Sequence, residues 1–238
     1  MIMNSQGASA IAIALNKYGV DLLNNFNDKH RTHFKCLFGL RKDRAADASL
    51  NTYNHVITVN LPGDGFDNMT EFKIEAYKLL IGHLLSHHIY ANMRVGTIKE
   101  IQTTLGNGSA ILQACCIETA ADIHSAQLYK EITGKKPSDR VLKEYEKLIT
   151  VPNIQDTGKY ALECIKGGQL PSFCRIILMK KYTSFKSNNY EPIDDIAKMI
   201  NIICKETLGR QFQYRDIKIS LEASFRIINF PNRPNRLR

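Results

Sequence analysis

The sequence contains no long apolar run, no low-complexity segment and no C-x-x-C pair. Lysine, glutamate and histidine interrupt its most apolar helical stretch, residues 72–93, well before the roughly 20 apolar residues that a bilayer crossing requires. Basic residues of the kind that begin an export signal do not precede the N-terminal apolar patch. We therefore expect no membrane association, and a location in the cytoplasm or in a particle assembled there.

Six cysteines are scattered along the chain, at Cys36, Cys115, Cys116, Cys164, Cys174 and Cys204. Their spacing excludes a zinc ribbon and a dithiol redox motif. Because 238 residues can bury a sizeable core without cross-links, we expect reduced and mostly buried thiols. A disulfide framework is the alternative.

Hydrophobic periodicity predicts an α+β protein with a mainly helical core and a small β-sheet. Helices are predicted at residues 9–26, 72–93, 109–132, 139–149, 157–166 and 194–208. Alternating β-branched residues predict a strand at 51–61 and one or two more at 215–230. Residues 173–182 fit either a strand or a short buried helix, because periodicity cannot separate the two over so short a run.

The net charge of +9 is concentrated towards the C-terminus, where Lys205 to Arg238 carry eight basic and three acidic residues. Such a tail is suited to contact nucleic acid or an acidic partner. The candidate nucleic-acid contacts are Arg226, Arg233, Arg236 and Arg238. The alternative is a solvated strand face followed by a frayed end.

Residues 72–93 carry three of the seven histidines. His83 and His87 are four residues apart and so lie on one side of a helix, where they could share a metal ion. His88 lies about 140° from His83 around the helix, towards the apolar stripe. The alternative for His83 and His87 is a packed or hydrogen-bonded pair, since zinc needs three or four ligands.

Further candidate ligands lie in the helix predicted at 109–132, where Glu118 and Asp122 are also four residues apart. Two carboxylates on one helix and two histidines on another are sufficient in number and type for a metal site. Alternatively, the carboxylates pair with Lys130, face water or hydrogen-bond a neighbouring helix.

Three stretches together resemble the metallopeptidase domain found ahead of von Willebrand type A-like domains in some bacterial and phage proteins. They are NHVITVNL, EAYKLLIGHLLSHH and IETAADIHSAQLYKEITGKKP, within residues 51–137. That family has a His-Glu-x-x-His helix ending in Gly-His, then an Ala-Ala-Asp helix that runs on to a proline-containing loop. Gly82-His83, Ala120-Ala121-Asp122 and Pro137 match these features. The resemblance implies a zincin-like arrangement of two central helices.

The family's zinc motif is degenerate in this chain. Its two histidines fall on Ile74 and Lys78, and only the general-base glutamate is retained, as Glu75. Neither an aliphatic side chain nor a lysine can take the place of the histidine ligands. A shifted site is the alternative, with His83 and His87 as ligands and Asp122 or Glu118 as the third.

The resemblance divides the chain into an N-terminal helical segment (1–50), a metallopeptidase-like core (51–150), and a helical and β C-terminal part with a basic tail (151–238). These parts are expected to form one compact unit. The leading hypothesis is a catalytically degenerate protein with an interaction or structural role and no cofactor. It would bind a protein partner, as a phage protein in a virion or nucleoprotein complex.

Two other functions stay open on the sequence alone. One is a Zn²⁺-dependent hydrolase, specifically a peptidase, that uses the shifted ligands. The other is a nucleic-acid-binding protein that acts through the basic tail, with an affinity that falls steeply with salt. The sequence indicates no oligomeric state.

Overall fold

The computed structural model describes residues 5–41, 48–51, 53–60, 69–92, 110–150, 156–182, 191–209 and 212–229. Eight helices and three strands lie within these residues, and they confirm a mainly helical α+β fold. The helices are α1 (Ser5–His30), α2 (Glu71–Asn92), α3 (Ala110–Thr133), α4 (Asp139–Ile149), α5 (Thr157–Lys166), α6 (Ser172–Tyr182), α7 (Glu191–Leu208) and α8 (Tyr214–Asn229). The strands are β1 (Leu37–Arg41), β2 (Ala48–Asn51) and β3 (Val56–Asn60).

The sheet has the order β1-β3-β2, with β1 parallel and β2 antiparallel to β3. Ile57 and Val59 of β3 point towards α2 and are buried, because alternate residues of a strand face the same side. The N-terminal stretch 1–50 therefore supplies β1 and most of β2 in addition to α1.

The strand predicted at 51–61 is confirmed in its second half, as β3, but it begins later than predicted because the chain turns at residues 53–55. The side-chain Oδ1 of Asn51 accepts a hydrogen bond from the backbone N–H of Tyr53 at 3.0 Å, which is an Asx turn. His55 then adopts a positive φ of 57°. Two strands result, with Asn51 opposite Val56. Alternation alone did not reveal this turn.

Helix α2 is buried along most of its length, between α1, the sheet, α3 and α4. Its start is capped by Thr70, whose Oγ1 accepts a hydrogen bond from the backbone N–H of Lys73 at 3.3 Å. The helix predicted at 72–93 is confirmed for the residues that the structure describes. Its aliphatic residues, among them Leu79, Leu85 and Ile89, belong to the first of two hydrophobic clusters.

Helix α3 contributes to both clusters. Its N-terminal part, from Leu112 to Ile123, packs in the second cluster with α5, α6, α7 and α8. Its C-terminal half, including Leu128, packs in the first cluster with α1, α2 and α4. The helix ends at Gly134, whose φ of 73° and backbone hydrogen bond to Lys130 confirm the predicted C-cap. Residues midway along α3 therefore lie where the two clusters meet.

The strands predicted at 215–230 are wrong, since this stretch forms α8. Its buried residues Ile217, Ser220, Leu221 and Ser224 follow the i, i+3, i+4, i+7 spacing of one helix face. Two of the four are serines, which are not hydrophobic. The hydrophobic residues of this stretch alone therefore follow the alternating pattern of a strand. Residues 173–182, for which a strand and a helix were both open, belong to α6.

All six cysteines are free, and five of them are buried, which confirms the expected reduced thiols. Burial raises the pKa of the Cys174 and Cys204 thiols to about 11, so neither is activated as a nucleophile. Among the described helices, none is both long enough and apolar enough to cross a bilayer.

Candidate metal centre

Helices α2 and α3 bring His83, His87 and Glu118 together. The two helices approach closely because Gly82 faces Ser125, where an added Cβ would lie 2.9 Å from Ser125 Oγ. Within the described residues, this trio is the cluster of histidine and carboxylate side chains whose ligand atoms all lie within 4.8 Å of one another. The histidine pair and Glu118 therefore converge as the sequence spacing predicted.

The distances within the trio suit a tetrahedral ion. The two Nε2 atoms are 3.0 Å apart, Glu118 Oε1 is 3.0 Å from His87 Nε2, and Glu118 Oε2 is 3.3 Å from His83 Nε2. Zinc bonds of about 2.0–2.1 Å at tetrahedral angles place ligand atoms roughly 3.3 Å apart. These three side chains could therefore hold a single metal ion, and without one the two Nε2 atoms are at hydrogen-bond distance, as in the hydrogen-bonded pair that was the alternative.

Asp122 lies behind His83 rather than beside the metal position. Its Oδ1 is 2.9 Å from His83 Nδ1, the ring nitrogen opposite the one that faces the trio. Within the described part of the chain, Nδ1 is buried and has no acceptor in the line of a hydrogen bond. With a metal at Nε2 the ring proton must sit on Nδ1, and Asp122 is then its nearest acceptor. The arrangement is that of a carboxylate orienting a metal-bound histidine.

Asp122 is itself fully buried and engaged at both oxygens. Arg175 on α6 donates from Nε to Oδ2 at 2.6 Å and from an Nη atom to Oδ1 at 3.0 Å. The hydroxyl of Tyr145 on α4 donates to Oδ1 at 3.0 Å. The same Nη atom of Arg175 lies 3.7 Å from Glu118 Oε2. Four helices therefore meet at this cluster.

The electrostatics of the cluster favour a cation between the histidines. Burial acts to lower the pKa of His83, but the adjacent Asp122 and Glu118 carboxylates outweigh burial and raise it to about 9. Burial opposes ionisation of Asp122 as well, yet Arg175 and His83 bring its pKa down to about 2. With neutral histidines, the charges of Glu118, Asp122 and Arg175 sum to −1. A proton on a histidine or a bound metal ion would balance this negative charge.

The cluster reaches solvent on one side only. The side chains of His87 and Glu118 are 21% and 18% exposed, whereas those of Arg175 and Asp122 are 4% and 0% exposed. A metal ion can therefore be reached from the His87 and Glu118 side, while Asp122 and Arg175 form a closed base.

Glu75 does not belong to the cluster. It lies eight residues before His83 on α2, which is about 12 Å along the helix axis. Its Oε1 accepts from Lys78 Nζ at 2.5 Å and its Oε2 accepts from the hydroxyl of Tyr129. Both carboxylate oxygens are therefore occupied by other partners.

The other histidines of these helices have separate roles. His88 Nε2 is 3.0 Å from the backbone oxygen of Lys35. His124 Nδ1 is 2.9 Å from Ser86 Oγ, and its ring meets Phe26 edge-on. Glu118 and Asp122 both face His83. The alternative in which they form ion pairs with Lys130 is therefore not the arrangement in the structure.

Arg175 and Tyr145 were missed by the sequence analysis. A signal existed for Arg175, because it interrupts the apolar run FCRIILM, and an arginine on a buried helix face needs a carboxylate partner. No comparable signal marks Tyr145, since tyrosine is common in cores.

Of the four predicted nucleic-acid contacts, one lies within the residues that the structure describes. Arg233, Arg236 and Arg238 fall outside the described residues, and Arg226 lies in α8. An open groove of about 480 Å³ at the start of α5, lined by Asp156, Phe173 and Ile203 among others, is also separate from the metal-ligand cluster.

Comparison of the chain with family models, with curated protein sequences and with solved structures finds no match in any of the three.

Proposed function

We propose that the protein is a zinc-dependent hydrolase whose metal is held by His83, His87 and Glu118. The observation that carries this proposal is the convergence of the two histidine Nε2 atoms and the Glu118 carboxylate, with separations of 3.0 to 3.3 Å, in front of a buried carboxylate, Asp122. Two histidines and one glutamate are a known donor set of catalytic zinc, which keeps a fourth position open. Structural zinc sites are instead closed by four ligands that are mostly cysteines, and this cluster contains none.

The residues have separate tasks in this proposal. Bound zinc would act as a Lewis acid and would lower the pKa of a water at its fourth position. Glu118 needs only one oxygen as a ligand, so its second oxygen is available to accept a proton. Asp122 holds the ring of His83. A peptide substrate is suggested by the family resemblance of residues 51–137.

A second candidate is the catalytically degenerate protein, in which these helices serve an interaction with a protein partner, as in a phage particle. The state of Glu75 favours it, because the family's general-base position is occupied by contacts with Lys78 and Tyr129. In this case His83 would carry a proton between Asp122 and Glu118, as a buried ion-pair network without metal.

Metal content decides between the two candidates. Elemental mass spectrometry of the purified, untagged protein should find about one zinc per chain, lost in His83→Ala and in His87→Ala. His33→Ala is the matched control, because His33 is exposed and lies outside the cluster. Peptide hydrolysis should disappear together with the zinc. A wild-type protein without metal, with all variants folded, would exclude the hydrolase and leave the degenerate protein.

A further inference from the structure

Arg175 is a charged residue on the buried face of α6, with only 4% of its side chain exposed. A lone buried guanidinium would be strongly destabilising, so its partners define its role. Those partners are the two oxygens of Asp122, the nearer oxygen of Glu118 at 3.7 Å and Gln169 Oε1 at 3.5 Å. Three of these four contacts are made with Asp122 and Glu118, the two carboxylates next to His83.

We propose that Arg175 is a positioning residue for the metal centre, which it serves by holding Asp122 as the outer partner of His83. This inference rests on the zinc site proposed above. Arg175 determines both how His83 is turned and how many carboxylates are left to bind the metal.

The first effect follows from the two-point contact. Nε and an Nη atom bind different oxygens of Asp122, at 2.6 and 3.0 Å, which fixes the plane of the carboxylate. In that plane Oδ1 faces His83 Nδ1 at 2.9 Å. With a proton on Nδ1, a carboxylate fixed in this position would hold the imidazole with Nε2 towards His87 and Glu118.

The second effect concerns the coordination number. Glu118 and Asp122 are one helical turn apart on the same side of α3, so both are on the face that meets His83. Arg175 and Tyr145 occupy the oxygens of Asp122 and withhold it from the metal. The ion is left with three protein ligands and an open position, rather than a closed set of four.

Lysine cannot replace arginine in this role. An ammonium is a point charge without the planar fork that binds two oxygens at once. Arg175→Lys therefore keeps the positive charge next to Asp122 but removes the two-point contact. This substitution separates the geometry that Arg175 imposes from the charge that it supplies.

The test uses the full chain, stripped of metal with a chelator and titrated with Co²⁺, whose visible absorption reports coordination number and geometry. Arg175→Lys should bind Co²⁺ about 10–100-fold more weakly than wild type, with an altered spectrum. The matched control is Arg140→Lys, because Arg140 lies on α4 against the ring of Phe72 and outside the cluster. Its affinity and spectrum should equal those of wild type.

Tyr145→Phe keeps the test informative if Arg175→Lys does not fold. It removes one neutral donor to Asp122 Oδ1 and should weaken Co²⁺ binding in the same direction by a smaller factor. Its control is Tyr160→Phe, where a buried tyrosine accepts instead from the backbone N–H of Ser172.

Two outcomes overturn the inference, and they can be told apart. If wild type binds Co²⁺ and the folded Arg175→Lys and Tyr145→Phe variants match it in affinity and spectrum, Arg175 is not a positioning residue and the metal site stands. If wild type binds neither Co²⁺ nor zinc, the proposed hydrolase fails, and the role of Arg175 fails with it.

Discussion

At the residue scale, the two carboxylates of α3 are chemically alike but differ in their neighbours. Glu118 is partly exposed and lies between two imidazole nitrogens, whereas Asp122 is fully buried and lies between His83 and Arg175. In the proposed zinc site, this difference makes Glu118 the ligand and Asp122 the outer partner. Sequence spacing alone had left the two interchangeable.

The difference predicts unequal responses to removal of charge. Glu118→Gln should abolish zinc binding and should destabilise the metal-free protein less than Asp122→Asn does, because Glu118 is partly exposed and Asp122 is fully buried. Asp122→Asn should destabilise the metal-free protein by about 3–5 kcal/mol, because it leaves Arg175 buried without an ionised partner. Metal analysis and urea unfolding measure the two effects. Glu163→Gln, at an exposed position on α5, is the control for loss of a carboxylate.

Equal losses of stability in Glu118→Gln and Asp122→Asn would contradict this assignment, as would zinc retained at full occupancy in Glu118→Gln.

His124 gives a second prediction at this scale. Burial, with smaller effects from His30 and Lys29, lowers its pKa to about 3 from an ordinary value near 6.5. The folded protein thus favours the neutral ring, whose stabilising contribution is complete above pH 6.5 and is lost as pH falls towards 3. Linkage gives a loss of at most about 2 kcal/mol at pH 5. Urea unfolding of metal-free protein at pH 7 and pH 5 measures it.

Other groups bear on that measurement. His30 has a pKa lowered to about 4 and acts in the same direction, as does His88, whose pKa burial lowers, so His124→Asn should reduce the pH dependence without abolishing it. Asp122, with a pKa of about 2, contributes only at lower pH, and His83, with a pKa raised to about 9, adds stability as the pH falls from 7 to 5 and partly offsets the loss. An unchanged dependence in His124→Asn would refute the assignment.

At the scale of elements, the proposed metal centre depends on the close contact of α2 with α3. Gly82 makes this contact possible, since its missing side chain leaves room for Ser125, whose Oγ donates to the backbone oxygen of Leu79 at 2.5 Å. Because His83 follows Gly82 directly, a change in helix separation shifts the ligand relative to Glu118.

Gly82→Ala should therefore weaken zinc binding and stability together. The added Cβ would lie 2.9 Å from Ser125 Oγ and 3.4 Å from Ser125 Cα, and overpacking of this kind costs about 1–3 kcal/mol. The better helix propensity of alanine offsets up to about 1 kcal/mol of this cost. Zinc affinity and unfolding by urea are the measurements. In the control Gly39→Ala, no atom lies nearer to the new Cβ than 4.0 Å.

Full zinc affinity in a Gly82→Ala protein of wild-type stability would show that the helix separation tolerates the methyl group, and that the contact does not determine the site.

At the scale of the whole molecule, the metal-ligand cluster lies where the two hydrophobic clusters meet on α3. His83 is on α2, which contributes to the first cluster, and Arg175 is on α6, three of whose four buried hydrophobic residues belong to the second. A bound ion would therefore connect helices from both, through the chain of contacts from His83 to Asp122 to Arg175. Binding at this point should stabilise the folded protein as a unit.

Zinc at about 1,000 times its Kd should add about 4 kcal/mol to the free energy of unfolding. For a chain of this length that corresponds to a rise in Tm of roughly 10 °C. Calorimetry with and without zinc measures the shift. Glu118→Gln should show none, and a shift of equal size in that variant would mean that zinc acts elsewhere on the protein.

Local sequence patterns were sufficient to predict the positions of most of the helices. Predicted ranges such as 139–149 and 157–166 agree with α4 and α5, because their apolar spacing and the caps at Ser138 and Asp156 are properties of neighbouring residues. Prediction was wrong at 215–230, where serines on the buried face of α8 hide the helical period. The strand predicted at 51–61 was found only from Val56 to Asn60, because a turn divides the alternating run.

The sequence was enough to select His83, His87, Glu118 and Asp122 as candidates, since positions four apart on a helix share a side whatever surrounds them. Only the tertiary structure decided which carboxylate meets the histidines and which lies behind them. It alone brought in Arg175 and Tyr145, which are 53 and 23 residues from Asp122. Such contacts depend on how whole helices pack, and no local sequence pattern encodes the packing of residues so far apart in the chain.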